Sequence, residues 1–204
     1  MNEQIILVNE NDEEIGSDEK ISVHRSGTLH RAFSIFIFDL QSEQVLLQKR
    51  AIHKYHSGGL WTNACCSHPH INEDMDQCLM SRLHHELGIT LDFRISEPTD
   101  ELLLAGNPDI IFHAGSFIYR APFGELTEHE IDHVYVYSPC SSAKRLHFHV
   151  NPDEAEELKW ISLDSLKMWM RDNLEEFTVW FPKAFEIADI LFTRQRTVIK
   201  GFSL

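Results

Sequence analysis

One loop and the helix that follows it concentrate the side chains that could do chemistry. Residues 60–88 read LWTNACCSHPHINEDMDQCLMSRLHHELG. Four soft metal ligands fall within six residues of the loop: Cys65, Cys66, His68 and His70. Such a set could form a structural zinc site, although these sites usually take a second ligand pair farther along the chain. A pair of buried, unreactive cysteines is the other interpretation that the loop allows.

Histidines and glutamates elsewhere could build a different metal site with His68. His24 and His30 flank the start of a predicted strand, and Glu128 and Glu130 alternate farther along the chain. If the segment of the two glutamates is extended, both side chains point to the same face. Three imidazoles and two carboxylates suit Mn²⁺, Zn²⁺, Fe²⁺ or Mg²⁺. The spacing alone leaves open whether these residues converge or lie separately at the surface.

Charged residues near the loop also allow two interpretations. Glu86 follows Arg82 by four residues on the predicted helix, so the two could form a surface pair worth about 0.2–0.5 kcal/mol. Lys20, Arg50 and Lys54 could be solvated charges. In an acidic chain they are also candidates to bind an anion, because local cations can reverse the sign of one pocket.

The apolar pattern predicts the strands that must position these residues. Residues 32–38 (AFSIFIF) are continuously apolar, which is typical of a strand buried on both faces. Residues 45–50 then pair back as a hairpin. Further strands are predicted at 5–8, 110–121, 133–138 and 145–150, and the last two alternate as half-exposed strands do.

Periodicity and capping residues predict the helices. One helix starts near Asn72 or Asp74, carries an apolar residue at every fourth position and stops at Gly88. Ser162 is a candidate N-cap of a second helix that follows a strand. A terminal helix follows from Phe177 onward.

Composition narrows the class of protein. The chain has 204 residues, of which 43% are hydrophobic and 25% charged, and this fits one α+β domain over residues 1–204. A formal charge of −14 disfavours nucleic acid as the partner. No apolar run approaches the roughly 20 residues of a membrane span, and the acidic N-terminus is unlike a signal peptide. We therefore expect a cytoplasmic protein with reduced cysteines and, lacking an obvious association motif, a monomer.

Several segments together resemble one known family. TLHRAFSIFIF, QKRA, LWTNACCSHP and RLHHELGI occur in the order and spacing of type I isopentenyl diphosphate isomerases. ELTEHE and FTVW match further family positions, so the resemblance extends from about Glu19 to Trp180. It implies a Nudix-type α+β fold, with a mixed sheet between helices in one compact domain. It also implies interconversion of isopentenyl and dimethylallyl diphosphates by a 1,3-proton shift.

The resemblance assigns the proton-transfer and metal-binding residues. Cys66 and Glu130 match the catalytic cysteine and glutamate of the family, and Tyr119 and Trp180 match its active-site aromatics, although position and type alone would make both aromatics structural. A divalent metal, Mn²⁺ or Zn²⁺ (or Mg²⁺), is implied at a site formed by His24, His30, His68, Glu128 and Glu130.

The resemblance also assigns the diphosphate site. Glu86, together with the backbone carbonyl of Cys66, matches the residues that hold a Mg²⁺ on the diphosphate. The implied diphosphate contacts are Lys20, Arg50, Lys54 and Arg82. This chain has FTVW where the family usually has FTPW, which leaves Trp180 in register. Cys65 has no implied role.

The Nudix box is degraded in this sequence. Laid on residues 67–89, it keeps acidic residues at Glu73 and Glu86. Its first glycine, its arginine and two of its glutamates are replaced, by Ser67, Ser81, Arg82 and His85. We therefore expect an isomerase. The alternatives are a Nudix hydrolase of a small diphosphate and a non-catalytic, metal-dependent diphosphate-binding module.

Overall fold

A mixed β-sheet runs through the molecule and carries helices on both faces. The computed structural model describes residues 3–202. The strands are β1 (Gln4–Val8), β2 (Glu14–Glu19), β3 (His30–Asp39), β4 (Gln44–Arg50), β5 (Trp61–Thr62), β6 (Cys65–Ser67), β7 (Arg94–Ser96), β8 (Ile110–Phe123), β9 (Leu126–Tyr137) and β10 (Ala155–Ser162). The helices are α1 (Lys20–Ser26), α2 (Met75–Leu87), α3 (Asp100–Ala105), α4 (Leu163–Asp172) and α5 (Phe181–Phe202).

Strand β3 is the centre of the sheet. The main strand order is β10-β4-β3-β9-β8-β7, and the β3–β9 and β7–β8 pairs are parallel. Strand β9 pairs with β3 over residues 30–37, while the short β6 pairs antiparallel with residues 33–35. Because both pairings overlap on β3, strands β6 and β9 must lie on its two opposite edges.

The continuous apolar run of β3 serves two core layers. Phe36 and Phe38 pack in the layer beneath α5, where the rings of Phe38 and Phe192 stack with centroids 4.2 Å apart. On the other face, Ile35 belongs to the layer that α2 covers with Leu83. Successive residues of a strand point to opposite faces, so a strand between two cores is apolar throughout. The predicted α+β sandwich is confirmed.

The predicted capping residues act as expected. The Asp74 carboxylate accepts from the amides of Asp76 and Gln77 at the start of α2, and Gly88 ends the helix at φ 66°. Ser162 caps α4. Strand β4 folds back antiparallel on β3 as predicted; this pairing covers Gln44 and Val45, and the rest of β4 pairs with β10 and β5. Helix α5 begins four residues later than predicted, at Phe181. Among the described residues, no helix combines the length and apolar character of a membrane span.

The prediction of a strand at residues 145–150 is wrong. The segment leaves a 3-10 turn and follows an irregular path across the end of α2. The His149 amide donates to the Leu87 carbonyl at 2.8 Å, and Phe148 packs against the α2 layer. Its alternation therefore reflects a loop lying on the core. Gly88 permits this approach, because a Cβ there would lie 2.5 Å from the carbonyl oxygen of His149.

Helix α1 was not predicted, although it carries two candidate site residues. The Glu19 carboxylate accepts from the Ser22 amide at its start, and Gly27 ends it with φ 65°. Its seven residues are too few for apolar periodicity to be informative, so the caps are its main local signal. The helix brings Lys20 and His24 to the sheet.

Candidate active site

One cavity gathers most of the candidate residues. Strands β6, β8 and β9, the loop after β4, and helices α1 and α2 all contribute to it. Its lining includes Lys20, Arg50, Lys54, Cys66, His68, Arg82, Tyr119, Glu128, Glu130 and Trp180. In the described part of the chain, Glu86 is not among the lining residues and lies buried beside Arg82.

Five buried side chains form a candidate metal centre at this cavity. They come from α1, from the start of β3, from the segment after β6 and from β9: His24, His30, His68, Glu128 and Glu130. Their possible ligand atoms all lie within 4.8 Å of one another. Glu128 and Glu130 alternate on an extended strand, as predicted, and so reach the same face.

The environment of this cluster fits a divalent cation. The Nδ1 atoms of His24 and His30 lie 2.6 and 2.9 Å from the backbone carbonyl oxygens of Lys20 and Thr28. Donation from Nδ1–H to these carbonyls leaves each Nε2 lone pair available for a metal. Among the described residues, no hydrogen-bond partner serves either Nε2 atom or Oε2 of Glu128, although His24 Nε2 lies 3.2 Å from that oxygen.

Glu130 connects the cluster to the cavity. Its Oε1 lies 2.9 Å from Nε2 of His68 and 3.4 Å from Nε2 of His30. Its Oε2 accepts a 2.6 Å hydrogen bond from the Tyr119 hydroxyl. Burial and the charge of Glu130 raise the pKa of Tyr119 well above its usual value, so the phenol keeps its proton and remains a donor.

Cys66 faces the same cavity from β6. Nη1 of Arg50 lies 3.6 Å from its Sγ. Burial raises the pKa of Cys66 to about 12 even though the Arg50 charge opposes this. The side chain is therefore a neutral thiol that can donate a proton. The other thiol of the pair, on Cys65, is fully buried in the α2 layer.

The hypothesis of a structural zinc site in the loop is wrong. Cys65 and Cys66 are neighbours on one strand, so they point to opposite faces. His70 contacts Glu73, with its Nδ1 3.2 Å from Oε2. Within residues 3–202, only His68 of the four loop ligands belongs to the metal cluster.

Two lysines at the cavity are held by carboxylates. Nζ of Lys20 donates to Oε2 of Glu3 at 3.1 Å, and Nζ of Lys54 donates to Oε2 of Glu154. The side chains of both lysines are about four-fifths buried, with 21% and 22% exposed. The carboxylates therefore hold both ammonium groups at one cavity, where an anion could share them.

The Arg82–Glu86 pair exists, but not as a surface pair. Nη2 of Arg82 donates to Oε1 of Glu86 at 3.1 Å, and the Glu86 side chain is only 2% exposed. Burial raises the pKa of Glu86, which the charge of Arg82 opposes. Gln48 provides a second donor to the same carboxylate at 3.4 Å. Arg82 itself reaches the cavity.

Trp180 lines another part of the cavity. The Arg50 guanidinium lies 5.4 Å from its ring centroid, and the Tyr119 ring centroid lies 6.3 Å away. Trp180 is 5% exposed, whereas the preceding Val179 is 54% exposed. The valine of FTVW therefore stands at the surface, and the indole still faces the cavity.

Known proteins are similar to this chain in sequence and in fold. The NUDIX domain family matches residues 28–181. The isopentenyl-diphosphate Delta-isomerase of Burkholderia multivorans is 40% identical over 193 residues, with 93% of this chain and 95% of that protein covered. Isopentenyl-diphosphate Delta-isomerase 2 of Aromatoleum aromaticum is 39% identical over 181 residues, with 88% and 83% covered. The chain belongs to the isopentenyl-diphosphate Delta-isomerase family.

Solved structures confirm the fold of this isomerase family member. A protein of Deinococcus radiodurans superposes with a TM-score of 0.57 at 17% identity, covering 83% of this chain and 90% of that one. The MutT protein of Methanosarcina mazei gives a TM-score of 0.53, also at 17% identity, with 79% and 93% covered. At such low identity, the likeness concerns architecture alone.

The sequence analysis missed three residues that line this cavity. Asp132 continues the alternation of Glu128 and Glu130 on β9 and lines the cavity, so the same period of two could have found it. His56 and Glu154 also line the cavity. Neither has a local signal, because their partners come from strands and loops far along the chain.

Proposed function

We propose that this chain interconverts isopentenyl and dimethylallyl diphosphates, with Cys66 and Glu130 as the two proton-transfer groups. The observation that carries the proposal is their placement. Cys66 lies on β6 and Glu130 on β9, the strands on the two edges of β3, and both side chains line one cavity. A substrate in that cavity would meet one titratable group from each strand.

This reaction requires an acid and a base at the two ends of an allylic unit. One of the two groups donates its proton to an alkene carbon, and the double-bond electrons form the new C–H bond. A tertiary, cation-like centre results. The other group removes a proton from the far end, and those C–H electrons form the new double bond. Reversing the direction exchanges the two roles.

Aromatic side chains would protect the cationic centre. The indole of Trp180 lines the cavity and can stabilise positive charge by cation–π attraction of about 2 kcal/mol when water is excluded. The Tyr119 hydroxyl holds Oε2 of Glu130 and can pass a proton to or from it. Both groups are weak nucleophiles, so they would not trap the intermediate.

The diphosphate would bind at the basic end of the cavity. The side chains that we assign to the diphosphate all line the cavity: Lys20, Arg50, Lys54 and Arg82. Charge-assisted bonds from ammonium and guanidinium groups suit phosphate oxygens. We assign Glu86 and the backbone carbonyl of Cys66 to a Mg²⁺ that accompanies the diphosphate. Binding of this unreactive group would hold the alkene between acid and base.

The histidine–glutamate cluster would hold a second divalent cation, Mn²⁺ or Zn²⁺ (or Mg²⁺). The donor set of three imidazoles and two carboxylates suits each of them. When bound, such a cation would fix the Glu130 carboxylate and alter its acidity. The chain itself would retain the Tyr119 contact that holds Oε2.

Product analysis tests the proposal. The protein is incubated with isopentenyl diphosphate, Mg²⁺ and Mn²⁺, and the mixture is followed by proton NMR. Formation of dimethylallyl diphosphate without phosphate release is expected. Release of phosphate would indicate a NUDIX hydrolase instead, and binding without turnover would indicate a non-catalytic, metal-dependent module.

We further infer that the protein is a cytoplasmic monomer. Light scattering would measure its mass in solution and so test the monomeric state.

A further inference from the structure

A histidine outside the five-residue cluster contacts one of its carboxylates. His56 lies in the loop between β4 and β5, and its side chain is 6% exposed. Its Nε2 lies 2.5 Å from Oε1 of Glu128, within hydrogen-bonding distance. The Glu128 side chain is itself only 3% exposed, so water competes little for this contact.

The two oxygens of Glu128 have different environments. Oε1 faces His56, whereas Oε2 is buried and lacks a hydrogen-bond partner among the described residues. Oε2 lies 3.2 Å from Nε2 of His24, another atom of the candidate metal centre. The contact with His56 therefore leaves one defined oxygen of Glu128 for a cation.

The His56 ring is itself fixed on several sides. Its Nδ1 lies 3.2 Å from Oγ of Ser57, which can donate to it. That arrangement places the ring proton on Nε2, facing Glu128. The ring stacks on Phe123 at 4.8 Å between centroids and meets the Trp180 ring edge-on at 6.0 Å.

We propose that His56 is a positioning residue that orients Glu128 for metal binding. The inference rests on the metal centre proposed above and adds a residue to its surroundings. Groups that hydrogen-bond to a metal ligand fix its orientation, and their loss typically weakens metal binding about 10–100-fold. Because His56 also packs against Trp180, it links the metal centre to the aromatic wall of the cavity.

Two substitutions separate the contact of His56 with Glu128 from the packing of its ring on Phe123. His56→Gln places an amide N–H near the position of Nε2 but loses the aromatic stacking. His56→Phe keeps the ring on Phe123 and loses the donor. His53→Phe is the matched control, since His53 lies in the same loop with a side chain 59% exposed. Mn²⁺ affinity is measured without substrate, from the EPR signal of the free ion.

The proposal predicts that His56→Phe weakens Mn²⁺ binding about 10–100-fold, while His56→Gln and His53→Phe stay within a few-fold of the parent. Parent-like affinity in His56→Phe would overturn it. Equal weakening in both His56 variants would also overturn it, because packing would then be responsible. Circular dichroism confirms folding. Isomerase activity of the parent is assayed separately, so failure of the proposed reaction remains distinguishable from failure of this inference.

Discussion

Tyr119 and Glu130 are direct partners across β8 and β9, and the Tyr119 hydroxyl donates to Oε2 of Glu130 at 2.6 Å. The phenol thus holds Oε2 of the glutamate, while Oε1 lies beside the histidines. The sheet register therefore places a proton donor beside the carboxylate that we assign to proton transfer.

Removing that hydroxyl is expected to slow the reaction without abolishing substrate binding. Tyr119→Phe deletes one hydrogen bond to a charged group, worth about 1.5–3 kcal/mol, and should lower kcat about 10–100-fold with little change in KM. Tyr137→Phe is the control, because Tyr137 is buried in the α2 layer of the same sheet. Steady-state kinetics distinguish the two, and an unchanged kcat in Tyr119→Phe would contradict the assignment.

The basic residues of the cavity should affect substrate binding rather than the chemical step. Lys54→Gln removes a charge that we assign to the diphosphate, so KM should rise about tenfold while kcat changes little. Lys49→Gln is the control, since Lys49 is not among the cavity-lining residues in the described chain. If both variants show the same KM, Lys54 does not contact the substrate.

The metal centre should be required for turnover. Dialysis against a chelator is expected to remove activity, and Mn²⁺ or Zn²⁺ added together with Mg²⁺ should restore it. His30→Ala should lower the metal content, because Nε2 of His30 belongs to the cluster and has no hydrogen-bond partner among the described residues. Anomalous scattering should locate one ion among the five side chains. Full activity in metal-free protein would contradict this assignment.

A carboxylate away from the site should control acid stability. Burial alone would raise the pKa of Asp39, but hydrogen bonds from Ser142, Ser42 and the Lys144 amide outweigh it and lower the pKa to about 2. The stabilisation is therefore complete above the ordinary pKa of 3.8 and is lost as the pH falls toward 2.

Asp39→Asn tests this pH dependence. The variant should be destabilised on the order of 2 kcal/mol at pH 7, and its difference from the parent should shrink between about pH 4 and pH 2. The free energy of unfolding is measured with urea at several pH values. A difference that is constant over this range would show that the charge of Asp39 does not stabilise the fold.

Local sequence patterns predicted the elements that carry strong, regular signals. Strand β3 contains the predicted apolar run, and α2 has the predicted caps. Both features depend on residues that are close together in the sequence. The alternation of Glu128 and Glu130 also placed both on one face. Assigning proton transfer to Cys66, by contrast, needed the family resemblance, because the loop alone also allowed a structural zinc site or a buried, unreactive cysteine pair.

Contacts between distant segments could not be predicted in the same way. Lys54 meets Glu154 across 100 positions, and His56, from the same loop as Lys54, meets Glu128 on β9. Sequence spacing contains no information about such distances until the sheet order is known. The wrong strand at 145–150 has the same origin, since its alternation reflects packing on α2 rather than a partner strand.

Isotope exchange tests the central claim most directly. Isopentenyl diphosphate is incubated in D₂O with Mg²⁺ and Mn²⁺, and deuterium is followed in both diphosphates by NMR and mass spectrometry. The parent should incorporate deuterium as it forms dimethylallyl diphosphate, and Cys65→Ala should behave similarly. In Cys66→Ala and in Glu130→Gln, the rates of deuterium incorporation and of product formation should fall about 10²–10⁴-fold. Absence of both exchange and isomer in the parent, or full turnover by Cys66→Ala, would contradict a two-residue proton transfer.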